Sequence, residues 1–98
     1  MAKLIWSPDA LKDLENLAEY ISLDSEEYAA IVVRRIFDTA ETVSMFPYSG
    51  RIVPEFEKEK VREKLYKSYR IIYRTNDSGQ IDIIRIFQQA QELNMDIN

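Results

Sequence analysis

The chain contains neither cysteine nor histidine. The first absence excludes a disulfide framework and a thiol nucleophile. The two together exclude zinc sites of the Cys/His kind, and the second removes any histidine general base. Glycine occurs twice and proline three times among 98 residues, which is too few for a linker-like or collagen-like chain. Long hydrophobic runs are missing too: Lys3 is followed by three apolar residues before Ser7-Pro8. Neither a membrane span nor a secretory signal is expected, so the expected compartment is the cytoplasm.

What remains is an ordinary globular composition, 46% hydrophobic and 31% charged, enough for one core in a single domain over residues 1–98. The formal charge of −4 argues against a general nucleic-acid binder. That charge is unevenly spread. Residues 1–50 carry four basic and nine acidic side chains, whereas residues 51–74 carry eight basic and four acidic. A basic stretch within an acidic protein points to one positive surface that meets a partner.

Lys3-Leu4-Ile5-Trp6 reads as a short strand ended by Ser7-Pro8, with Ser7 as N-cap, Pro8 at the first helical position and Asp9 in the first turn. Leu11, Leu14, Leu17, Ala18 and Ile21 form one helical stripe. Asp24-Ser25-Glu26-Glu27 caps a second helix, with Val32, Val33, Ile36, Ala40 and Val43 on its apolar face, running to about Met45 before Pro47 stops it. The short link predicts an antiparallel helical hairpin. After turn residues 47–51 comes a mixed-charge stretch, Glu55 to Lys60, read as a solvated loop or strand edge. Three strands follow: Val61–Tyr66, Tyr69–Arg74 and, beyond the turn Asn76-Asp77-Ser78-Gly79, Gln80–Phe87. The order β-α-α-β-β-β predicts an α+β fold, with the hairpin on one face of a small, mainly antiparallel sheet and the other face at least partly open.

Strand alternation puts Tyr69, Ile71 and Tyr73 on one side of the middle strand and Arg70, Ile72 and Arg74 on the other. In the last strand Ile81, Ile83, Arg85 and Phe87 oppose Asp82, Ile84, Ile86 and Gln88, and in the first Arg62 and Lys64 oppose Val61, Glu63 and Leu65. The candidate binding set is Arg51, Arg62, Arg70, Tyr73, Arg74, Arg85 and Gln88. Taken singly, each arginine is a surface group paired with Glu63 or Asp82; clustered with tyrosines on an open sheet face, they suggest a contact surface. Trp6 and Tyr20 read as core or boundary residues. Glu55, Glu57 and Glu59 alternate as cation ligands could, but interleaved lysines make them a solvated charge run. No phosphate-binding glycine loop and no Ser/His/Asp set is present, and no metal or cofactor is expected.

Ile5-Trp6-Ser7-Pro8-x-Ala10-x-x-Asp13-Leu14 with Glu19-Tyr20-Ile21 resembles the first strand and helix of RelE/ParE-superfamily toxins. Phe46-Pro47-x-x-Gly50-Arg51 resembles their post-helical turn, and Val61-Arg62-Glu63 and Tyr69-Arg70-Ile71-Ile72-Tyr73 resemble the strands that follow. The resemblance runs from residue 4 to about 93. It implies a growth-inhibiting, plasmid-stabilising toxin neutralised by a cognate antitoxin whose extended or helical segment wraps it. ParE-like members inhibit DNA gyrase and are not enzymes in that role; RelE-like members cleave mRNA on the ribosome. Ribonuclease members place a basic or histidine residue, then often an arginine, just after the last strand, where this chain has Gln88 and Gln89. Glutamine hydrogen-bonds but neither titrates nor carries charge. If the chain were RelE-like, Arg62 and Arg85 would be the catalytic, phosphate-neutralising candidates and Glu63 a base. The twin glutamines and the net acidity favour the ParE-like function. The alternatives are the endoribonuclease and a non-toxic relative that retains only antitoxin binding.

Overall fold

The computed structural model describes residues 2–89; the end of the domain expected over 1–98, with the last part of the family resemblance, lies outside the described residues. Ser7 ends strand β1 (Lys3–Trp6) and caps helix α1 (Pro8–Ser22), its hydroxyl accepting from the Ala10 N–H at 3.0 Å. Ser25, the second residue of the expected cap segment, performs the same task for α2 (Glu26–Met45), accepting from the Tyr28 N–H at 3.1 Å. A two-residue strand β2 (Arg51–Ile52) precedes β3 (Val61–Tyr66), β4 (Tyr69–Thr75) and β5 (Gln80–Gln88). The sheet order is β1-β5-β4-β3-β2, with β1 parallel to β5 and the other pairs antiparallel. The α+β, mainly antiparallel architecture is therefore as the sequence predicts, with β2 added at one edge.

The helical hairpin covers one sheet face. Ala10 and Leu14 of α1 and Val32, Ile36, Ala40 and Val43 of α2 meet Ile71, Tyr73, Ile81, Ile83 and Ile86. The other face is covered in part. The segment that follows β2 folds back over it, so that Val53 and Phe56 pack on Val61, Ile72 and Phe87. The Glu55–Lys60 stretch is thus anchored at its start rather than fully solvated, because Val53 and Phe56 gain more by burial than a free loop would.

One expectation about the last strand is overturned. Ile72 pairs with Arg85 but Tyr73 pairs with Ile83, so Ile84 is an extra residue, a β-bulge. Simple alternation would put Arg85 on the helix-facing side with Ile81 and Ile83. The bulge puts Ile86 there instead and leaves Phe87 in the second cluster.

Candidate functional site

The candidate residues divide into three groups. The first is an ion-pair network on the face away from the helices. Arg70 is buried on β4; its Nε donates to Glu63 at 2.6 Å, and its two Nη atoms fork onto Glu55 at 2.8 Å each. Glu63, with a fully buried side chain, also takes the Nε of Arg51 from β2, whose side chain is 56% exposed. The hydrogen bond from Arg70 holds the Glu55 carboxyl far down, at about 2, and the Arg70 guanidinium is correspondingly raised. Glu63 therefore sits between two guanidinium groups, with one carboxylate oxygen held by each. Arg70 spends all three of its nitrogens inside the protein.

The second group fastens the segment between α2 and β3. Tyr73 is fully buried; its hydroxyl donates to the Pro47 carbonyl at 2.8 Å and accepts from the Gly50 N–H at 3.0 Å. Burial raises the Tyr73 pKa. Arg62, on the same side, donates from Nε to the Glu59 carbonyl and from Nη1 to the Gly50 carbonyl, both at 2.9 Å, with its guanidinium 4.8 Å from the Tyr48 ring centre. Arg74 is half-buried opposite Asp82, whose carboxylate is occupied by the side-chain amides of Asn76 (2.8 Å) and Gln80 (2.7 Å). Tyr73 thus has no surface to offer a partner, while Arg51, Arg62 and Arg74 retain part of theirs.

The third group lies at the C-terminal end of β5. Arg85 donates from Nε (2.7 Å) and Nη2 (3.0 Å) to Asp13 of α1, and that hydrogen bonding raises its pKa. Its guanidinium lies 4.6 Å from the Phe87 ring centre. Arg85, Phe87 and Gln88 line a shallow cavity of about 190 Å³ with Asp13, Asn16 and Tyr69. Gln88 is exposed, and so is Gln89 just beyond the strand. Asp13 and Glu55 are the participants that sequence reasoning leaves without a role. Asp13 stands in the quoted motif, but its partner is 72 positions away and no periodicity reveals it.

Elsewhere, Trp6 packs against Phe37 with ring centres 4.7 Å apart, as a boundary residue should. Tyr20 corrects its expectation. It is 71% exposed, because it lies off the α1 stripe that carries Ala10, Leu14, Leu17 and Ile21. A groove of about 750 Å³ runs between the helices, floored by Ala18, Ala29, Val33 and Phe37 and rimmed by Glu15, Glu19, Glu26 and Asp38. Among the described residues no group of three or more carboxylates is placed to hold a metal ion, and Glu55, Glu57 and Glu59 do not converge. No described helix is long and apolar enough to cross a membrane.

A family model described as the ParE toxin of the type II toxin–antitoxin system, parDE, matches residues 4–93. No curated protein matches the sequence. Among solved structures, the chain is similar to one from a chromosomal ParDE toxin–antitoxin system of P. aeruginosa, with 24% identity and a TM-score of 0.74 over 90% of this chain and 96% of that one. It is also similar to a chain of the RelBE2 toxin–antitoxin complex of Mycobacterium tuberculosis, with 18% identity and a TM-score of 0.65 over 92% and 93%. A sheet packed under a helical hairpin and a family match across nearly the whole chain agree, and the chain belongs to the ParE toxins of type II toxin–antitoxin systems, within the RelE/ParE superfamily.

Proposed function

We propose that this toxin acts by docking on DNA gyrase in the cytoplasm, not by cutting RNA, and that a cognate antitoxin neutralises it. The observation that carries the choice of target is the internal commitment of the groups that RNA cleavage would need. Attack by a 2′-hydroxyl requires a base for its proton, an acid for the leaving oxygen and positive charge on the phosphorane. Glu63 is enclosed by Arg51 and Arg70, Arg85 is paired with Asp13, and Arg62 is bound to two backbone carbonyls. The end of β5 offers Gln88 and Gln89, which cannot titrate. A docking toxin needs none of these protons.

The antitoxin reading is supported by the family match and by the toxin–antitoxin systems from which the two similar structures come. The apolar floor of the interhelical groove suits the apolar side of an extended or helical segment, and Arg51, Arg62 and Arg74 on the sheet offer separate positive contacts to acidic side chains of the same partner. The test adds purified toxin to gyrase with relaxed plasmid and, separately, to translating ribosomes. Lost supercoiling with intact mRNA supports the proposal, and codon-specific mRNA cuts with supercoiling untouched overturn it. Adding the product of the neighbouring antitoxin gene should restore supercoiling.

A further inference from the structure

We infer that Asp13 is a positioning residue that sets the direction of Arg85 at the toxin's contact site; the inference rests on the docking reading above. Strand β1 ends at Trp6, paired with Ile83, and the chain then turns away into α1. Beyond Ile83, β5 therefore has no strand on that side among the described residues. The start of α1 takes the strand's place. The Ser7 N–H donates to the Ile83 carbonyl at 2.9 Å and the Ser7 hydroxyl to the Ile84 carbonyl at 2.8 Å, while Asp13 accepts from the Ile86 N–H at 2.9 Å. The N-cap residue Ser7 and the helical Asp13 thus satisfy the edge of a strand that has lost its neighbour.

The bulge lies within this same stretch. Without the bulge at Ile84, regular alternation would point Arg85 with Ile81 and Ile83 into the core under the helices, where a guanidinium is costly. With it, Ile86 fills the core and Arg85 emerges at the margin, its side chain 29% exposed. Exposure alone would leave a long side chain free to wander. Asp13 removes that freedom, taking two guanidinium nitrogens and the next backbone N–H with one carboxylate, and the Phe87 ring supports the guanidinium plane from below. An arginine held from both sides meets its partner already ordered, so binding costs less rotamer entropy. The bulge chooses the side, and Asp13 chooses the direction.

The experiment compares Asp13→Asn, Asp13→Ala, Arg85→Ala and the double variant Asp13→Ala/Arg85→Ala, with Val43→Ala as a variant destabilised at a core position outside the cavity. Asn can still accept from the Ile86 N–H but loses the charged grip on Arg85, so it separates strand capping from positioning. For folded protein, both Asp13 variants are expected to lose gyrase inhibition by at least about tenfold, as Arg85→Ala does, with no further loss in the double variant. Val43→Ala keeps full potency per folded molecule, and the slowly exchanging Arg85 Nε–H signal in NMR spectra disappears in Asp13→Asn. Full potency in folded Asp13→Asn, or losses that add in the double variant, overturns the inference. If the wild type leaves supercoiling untouched, the gyrase reading fails and growth arrest scores the same variants. The inference then stands only if Asp13→Asn matches Arg85→Ala there. A wild type that arrests no growth overturns both.

Discussion

The Tyr73 hydroxyl, at the centre of the sheet, ties down the chain that leaves α2, donating to the Pro47 carbonyl and accepting from the Gly50 N–H at 2.8 and 3.0 Å. It is a buried phenol used as a two-way fastener. Tyr73→Phe keeps the ring in the core but leaves the buried Gly50 N–H without its partner. A stranded buried donor costs about 1–3 kcal/mol, and denaturant melts of the two proteins should differ by that amount. Antitoxin affinity per folded molecule should not change, since Tyr73 has no exposed surface.

Gly50 is required for space. A Cβ on it would sit 2.6 Å from the Tyr73 hydroxyl and still closer to the Glu63 carbonyl oxygen, which is main chain and unable to yield. Gly50→Ala should therefore destabilise by about 1–3 kcal/mol through overpacking, measured in the same melts. Gly79 is the opposite case: nothing crowds it, but its φ of +86° closes the β4–β5 turn, a backbone state that other residues resist.

The helix-facing core gives a plainer test. Ile36 is fully buried on α2 among the side chains under the hairpin. Ile36→Ala should cost on the order of 2–5 kcal/mol in a denaturant melt. A loss below about 0.5 kcal/mol, the range of surface changes, would place it outside the core.

The fold was legible because helices and strands announce themselves by period. Ser7-Pro8 and the Leu14, Leu17, Ile21 stripe specified α1, and Val61–Tyr66 kept to strand alternation throughout. The bulge was illegible, since Ile83-Ile84 reads as two adjacent apolar residues whether or not the register slips between them. Hence simple alternation puts Arg85 on the wrong side of β5 and gives its partner Asp13 no role. Glu55 was hidden for a related reason. Within a run of glutamates and lysines nothing singles out the one carboxylate that reaches a buried arginine across 15 positions. Long-range pairing of charges depends on folded geometry, and sequence period carries no trace of it.

The Glu55–Arg70 pair should give stability an acid limb. The folded protein holds Glu55 at about 2, below the value it has in the unfolded chain, so the unfolded state takes up the proton first. The contribution is fully present above the ordinary carboxylate range and is lost as pH falls through that range towards about 2. Glu55→Gln removes the charge at every pH. Its deficit in stability relative to the wild type should be largest near neutrality and shrink steadily on acidification. A deficit that stays constant down to the lowest pH at which both proteins fold would show that the pair does not control this limb.

Arg62 distinguishes an arginine that fastens a loop from one that does chemistry. Its Nε and Nη1 reach the carbonyls of Glu59 and Gly50, and Tyr48 covers its guanidinium, so it closes the segment between β2 and β3 onto the turn that follows α2. Arg62→Ala should therefore cost stability, about 1.5–3 kcal/mol for loss of hydrogen bonds from a charged donor. The variant should leave mRNA as intact as the wild type does and inhibit gyrase in proportion to its folded fraction. A phosphate-neutralising role predicts something different. Wild type would then cut mRNA on translating ribosomes, and folded Arg62→Ala would lose cutting by roughly 100–1,000-fold, the cost of removing one contact to a charged transition state. Melting curves taken beside both assays separate the two outcomes, because a fastening arginine changes the melt and a catalytic one changes the rate in protein that is still folded.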